Sequence, residues 1–149
     1  MAINTSKVVA GGLAAGIVIT AIDFLTYAVL LGDRMTADLN AFKAGLGDSM
    51  AVMSGTAIAG SVIMNIVIGM LLVWTYASFR TRFGPGPQTA SYVALVFFTF
   101  GLILTSNYLM MGMMSRGLWL TYAVVWLVNL LVATIVGAKI YSEDSTSTV

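Results

Sequence analysis

Charge is so scarce in this chain, and so clustered, that four long apolar runs are left between the charged groups. Residues 8–31 hold one charged side chain, Asp23, residues 50–79 and 89–114 hold none, and residues 118–140 hold only Lys139 near their end. Each run exceeds the roughly 20 residues that a helix needs to cross a hydrocarbon core about 30 Å thick. Lipid offers the backbone no hydrogen-bond partners, so each run must satisfy itself as a helix. Only 9% of the 149 residues are charged, against roughly a quarter in soluble domains, too few to cover a water-facing surface. The expected fold is all-α: one integral membrane domain, residues 1–149, of four transmembrane helices at about 8–31, 50–79, 89–114 and 118–140. The first run, flanked by Lys7, is longer than the roughly 7–15 apolar residues of a signal peptide and is expected to stay as an anchor.

Four crossings put residues 1–7, the middle connection and the C-terminal tail on one side. That side carries Lys7, Arg80, Arg82 and Lys139; the other carries Arg34, Lys43 and Arg116, with Asp33, Asp38 and Asp48 nearby. Lysine and arginine are retained in the cytoplasm, so the expected place is a bacterial cytoplasmic membrane, multi-pass, with both termini cytoplasmic. Aromatic residues fall where interfacial belts should lie: Trp74, Tyr76, Phe79, Tyr92 and Tyr141 on the inner side, Tyr27, Tyr108, Trp119 and Tyr122 on the outer.

The stretch RTRFGPGPQTAS, residues 80–91, is where the chain must turn. Pro85 and Pro87 cannot donate backbone hydrogen bonds, and each biases its preceding glycine away from helix. Gly86 then suits an N-cap with Pro87 at the first helical position. Arg80 and Arg82 abut the membrane end, where they reach lipid phosphates or a partner. VVAGGLAAGIVITAIDF (8–24) and RTRFGPGPQTA (80–90) together resemble an uncharacterised bacterial family of small four-helix integral membrane proteins with an Arg-x-Arg-Phe-Gly-Pro-Gly-Pro loop. That resemblance implies the same topology and adds no catalytic residue.

Every run carries one strongly polar side chain, respectively Asp23, Asn65, Asn107 and Asn129, and all four are expected to point into one bundle interior. A carboxylate at such depth costs ~2.5–3.5 kcal/mol on insertion scales, so Asp23 should face protein or water. Its least costly state is protonated or hydrogen-bonded to an amide, and Thr20 and Thr26 offer hydroxyls. Two readings compete: interhelical glue at about 0.6 kcal/mol per bond, and a proton or cation pathway. Small residues at Gly12 and Gly16, and at Ala51, Gly55 and Ala59, mark close helix packing. ITAIDFLTY (19–27) also resembles ILTSNYLMM (103–111), as a duplicated hairpin would.

Residues 32–48 form the longest connection. Met35, Leu39, Phe42 and Leu46 recur there at helical spacing, predicting a short amphipathic helix lying on the outer membrane surface or on a partner. With Met110, Met111, Met113 and Met114 this stripe makes an expected outer docking face. Thioethers bind Cu(I), but methionine more often makes an adaptable apolar contact, and no cysteine or histidine stands by. No metal and no cofactor of the chain's own are expected; any pigment or lipid contact would come from a host complex. A net charge of +1 gives no reason to expect nucleic acid. No catalytic constellation is present, so the expected function is non-enzymatic. It is that of an accessory or structural subunit beside a larger bacterial membrane complex, photosynthetic or respiratory assemblies being the hosts considered. The alternative is a small proton- or cation-coupled transporter or channel using Asp23. Membrane lipids and a host complex are the expected partners, and a homo-oligomer is compatible with either reading.

Overall fold

The computed structural model describes residues 3–44 and 55–141. Helix α1 spans Thr5–Leu25, a π-helical segment follows over Thr26–Leu31, and α2 spans Gly32–Ala44. Helix α3 is Gly55–Phe83, α4 is Pro87–Met110 and α5 is Arg116–Ile140. Among the described residues four helices are long and apolar enough to cross a membrane, α1 through α2 counting as one. The protein is an all-α four-helix membrane bundle, as the apolar runs require.

Sequence determines where these helices start and stop. The Asn4 side chain accepts from the Lys7 backbone N–H and caps α1, and the Ser115 hydroxyl accepts from Leu118 N–H and caps α5. Gly86 precedes α4 with Pro87 in its first turn, as the spacing predicts. Between α3 and α4, Gly84 and Gly86 take φ of +82° and +132°, values that only glycine adopts without strain. Thr89 Oγ1 donates to the Gly84 carbonyl at 2.7 Å and Tyr76 Oη accepts from Gly86 N–H at 3.1 Å, closing the turn.

Three boundaries differ from the sequence expectation, and the first is that α3 runs to Phe83 instead of 79, with Arg80 and Arg82 in its last turn. The amphipathic helix forms, but it continues α1 instead of standing apart in a loop. Nothing between Leu25 and Gly32 breaks the backbone: both are right-handed helical, and Gly32 N–H simply shifts its bond to Tyr27. At about 1.5 Å per residue, Thr5 to Leu31 already covers roughly 40 Å, so α2 runs beyond the hydrocarbon core. The third span ends at Met110, not 114. Gly112 at φ +72° lets Met113 N–H return to the Tyr108 carbonyl and Gly112 N–H to that of Leu109, the hydrogen-bond pattern of a Schellman stop.

Helix α1 packs on α3 and α5, while α4 leans on α5 and, less extensively, on α3. The α1–α3 contact is backbone on backbone. A Cβ at Gly16 would lie 2.6 Å from Ile66 Cα, one at Gly12 would lie 2.6 Å from Met70 Cα, and one at Gly69 would overlap the backbones of Gly12 and Gly16. Across α1 and α5, a Cβ at Gly11 would sit 2.7 Å from the Gly137 carbonyl oxygen. The expected stripe on α3 is not the contact: Gly55 has open space around it, Ala59 is exposed, and Ala51 lies outside the described residues. Gly69 takes that part, because it is the α3 glycine level with Gly12 and Gly16.

Candidate functional site

Three helices bring one polar group each to a common point inside the bundle. Helix α1 supplies Asp23, half-buried; α3 supplies Asn65, half-buried; α5 supplies Asn129, fully buried. Asn129 Nδ2 donates to Asp23 Oδ1 at 2.8 Å, and Asn65 Nδ2 donates to Asp23 Oδ2 at 3.0 Å. Each carboxylate oxygen therefore receives an amide from a different helix. Asn129 Nδ2 also reaches the Ile19 carbonyl at 3.3 Å, and Asn65 Nδ2 reaches Thr20 Oγ1 at 3.4 Å. Thr20 in turn donates to the Gly16 carbonyl at 2.9 Å. Glycine contacts set this geometry: amide and carboxylate meet only because Gly12, Gly16 and Gly69 let α1 and α3 approach without side chains between them.

One acceptor in this cluster has no partner. Asn129 Oδ1 is buried without a hydrogen bond, one of two such side-chain atoms among the described residues, the other being Trp119 Nε1. As an arrangement the cluster is a clasp holding three helices, with a carboxylate that accepts from two amides and an unfilled amide acceptor beside it.

Asn107 does not join it. The residue is exposed on α4, and among the described residues no side-chain hydrogen bond links it to Asp23, Asn65 or Asn129. The suspected hairpin duplication therefore places its paired polar residues differently, Asp23 inward and Asn107 outward. Gly69, passed over in the sequence for Ala51, Gly55 and Ala59, is the residue of this arrangement that was missed. Its place four residues after Asn65, which puts both on one face of α3, is the signal that could have found it.

Other expected contacts divide between the two ends of the bundle. At the basic end the Arg80 guanidinium lies 5.9 Å from the Tyr141 ring centroid, and that of Arg82 lies 6.0 Å from the ring of Phe83. At the opposite end Ser115 N–H donates to Asp38 Oδ2 at 2.8 Å, tying α2 to the turn between α4 and α5. The Ser115 backbone amide, and then its side chain, hold the Asp38 carboxyl below the ordinary aspartate pKa. Met35 and Met110 are exposed, Met110 at 84%, while Leu39, Phe42 and Met113 are half-buried. Leu46 lies outside the described residues, as do Asp48, Met50 and Met53.

No protein-family model, curated protein or solved structure matches this chain.

Proposed function

We propose that this chain is a non-enzymatic subunit that packs beside a larger protein complex in a bacterial cytoplasmic membrane, with both termini cytoplasmic. The observation that carries this reading is the outward amide of Asn107, set among the exposed side chains of Ile103, Leu104, Tyr108, Met110 and Met111. An asparagine offers two N–H donors and a carbonyl oxygen, and at the outer end of α4, beside the belt residue Tyr108, these suit a polar group on an adjoining protein helix. The inward polar groups are already engaged in joining α1, α3 and α5. The Asp38–Ser115 bond also makes α2 and the methionine-bearing turn one outer surface, and methionine suits a contact that must adapt to a partner.

Purification in a mild detergent, followed by mass spectrometry of companion proteins, tests this reading. The wild type should retain a defined set of companions. Asn107→Leu and Phe42→Asp should lose them while inserting and melting normally. A wild type that runs as a lone monomer without companions contradicts the proposal.

A second reading, a proton- or cation-coupled transporter centred on Asp23, is favoured by the unfilled Asn129 Oδ1 beside that carboxylate. It requires proton or cation flux in proteoliposomes that disappears in Asp23→Asn, a change that nearly preserves volume and keeps one of the two amide bonds. Such flux would displace the subunit reading.

A further inference from the structure

The Asp23 carboxyl is held inside the bundle by neutral partners alone. Its hydrogen bonds come from the amides of Asn129 and Asn65, and among the described residues no lysine or arginine pairs with it. Residues 1–2, 45–54 and 142–149, which lie outside the described ones, contain no lysine or arginine either. A carboxylate at membrane depth is costly unless an opposite charge answers it. The surroundings of Asp23 supply oxygen for such a charge.

A second observation is the acceptor left over. Asn129 is fully buried, and its Oδ1 has no hydrogen bond. The two ends of an asparagine amide have the same shape, so a half-turn of the group exchanges Oδ1 and Nδ2. One end is left over in either orientation, and an ion that takes the oxygen decides between them. After the half-turn Oδ1 occupies the place now 2.8 Å from Asp23 Oδ1 and 3.3 Å from the Ile19 carbonyl oxygen. A hard cation of sodium's size holds oxygens at about 2.3–2.6 Å, the range of calcium, so oxygens at these separations can share one ion. The Ile19 carbonyl keeps a lone pair beyond its helical bond, and Asn65 still fixes Asp23 Oδ2 from the other side. Three residues beyond Asp23 the helix turns π-helical, a departure from α geometry that recurs at functional sites.

We propose that Asp23 and Asn129, with the Ile19 carbonyl, bind one monovalent alkali cation of sodium's size. One carboxylate balances one positive charge; a divalent ion would leave a surplus charge buried. Among the described residues no three of His, Cys, Asp and Glu gather, and an all-oxygen set suits a hard ion, not a transition metal. The lack of cysteine and histidine bears on transition metals and not on this class of ion. The site goes beyond the subunit reading and stands whether or not the ion crosses the membrane. Binding without flux in proteoliposomes makes the ion a resident part of the clasp, so the two measurements fail separately.

Thermal melting of the full chain in mild detergent tests it, with sodium chloride exchanged for choline chloride at constant ionic strength. Sodium should raise the melting temperature of the wild type along a saturating curve, by roughly 5–10 °C at a hundred times the apparent Kd. Asp23→Asn removes the charge and should lose the response. Asn129→Ser withdraws the amide oxygen and should raise the apparent Kd about tenfold, on the scale of one bond to a charged group; it carries the test if Asp23→Asn does not melt cooperatively. Asp33→Asn, the same change of charge at an exposed position of α2, should respond as the wild type does. Calcium should stabilise less than sodium at equal concentration. A wild type without a saturable sodium response overturns the proposal, as does an undiminished response in Asp23→Asn or Asn129→Ser. Loss of the response in Asp33→Asn, or stronger stabilisation by calcium, overturns it too.

Discussion

Helices α1 and α4 are both long, apolar and rich in small residues, yet they hold to the bundle by different means. Helix α1 meets α3 and α5 through glycine backbones, with a carboxylate engaged by an amide from each neighbour. Helix α4 meets α5 through a large side chain: the Trp126 ring fills the space over Gly101, with Phe98 beside it at 6.0 Å between ring centroids. Backbone contact demands one register, because a methylene inserted there has nowhere to go. An aromatic over a glycine can be repacked. The comparison divides the molecule into a clasped three-helix core and a fourth helix with its polar group turned outward.

The largest expected effect breaks the clasp itself. Gly69→Leu should abolish the folded bundle, since even a Cβ overlaps the backbones of Gly12 and Gly16; overpacking costs about 1–3 kcal/mol where neighbours yield, and here the neighbours are backbone. Gly60→Leu on the same helix, where none of the described residues lies within 4 Å, should melt within about 0.5 kcal/mol of the wild type, as surface changes usually do. Thermal melting in detergent compares the two. Equal losses would show that helix propensity, not the crossing, governs α3.

Next comes the polar contrast. Asp23→Leu strands the amides of Asn65 and Asn129 and should cost about 1–3 kcal/mol. Asn107→Leu should stay within about 0.5 kcal/mol of the wild type, because its amide does nothing inside the bundle. Asp23→Asn should fall between them and near the wild type, since an amide still accepts one of the two bonds. Chemical denaturation in mixed micelles measures the order, and an Asn107→Leu loss as large as that of Asp23→Leu would erase the distinction between core and α4.

How much of this the sequence discloses depends on the range of the interaction. Four helices and the turn at Gly84–Pro87 follow from local rules of apolar length, proline chemistry and positive φ. The small residues of α1 are visible too, but not their partner: Gly55 and Gly69 look alike in sequence, and only the tertiary crossing selects Gly69. Asp23, Asn65 and Asn129 are readable as intramembrane polar groups. That Asn107 turns away is not readable, because α4 has apolar residues all round and so no periodicity to set its rotation. The continuity of α1 into α2 was hidden for the opposite reason. A change from apolar to charged residues at Gly32–Arg34 resembles a helix end, although no residue there stops the backbone.

The smallest expected effect lies at the outer surface, where α2 meets the α4–α5 turn. Ser115 lowers the folded pKa of Asp38, so the stabilisation is fully present above the ordinary aspartate pKa of about 3.9. It is lost as pH falls through the lowered folded value. Melting temperatures of wild type and Asp38→Asn should therefore differ slightly at neutral pH and converge in strong acid. A gap that widens on acidification would contradict the Asp38–Ser115 tie.

Crosslinking in the native membrane tests most directly the proposed contact between α4 and another protein. A photoreactive amino acid placed at Asn107, and in a second variant at exposed Ile17 on α1 (64% accessible), reports what each position touches. A discrete adduct with another polypeptide is expected from position 107, and lipid adducts alone from position 17. Lipid adducts alone from both positions would contradict it.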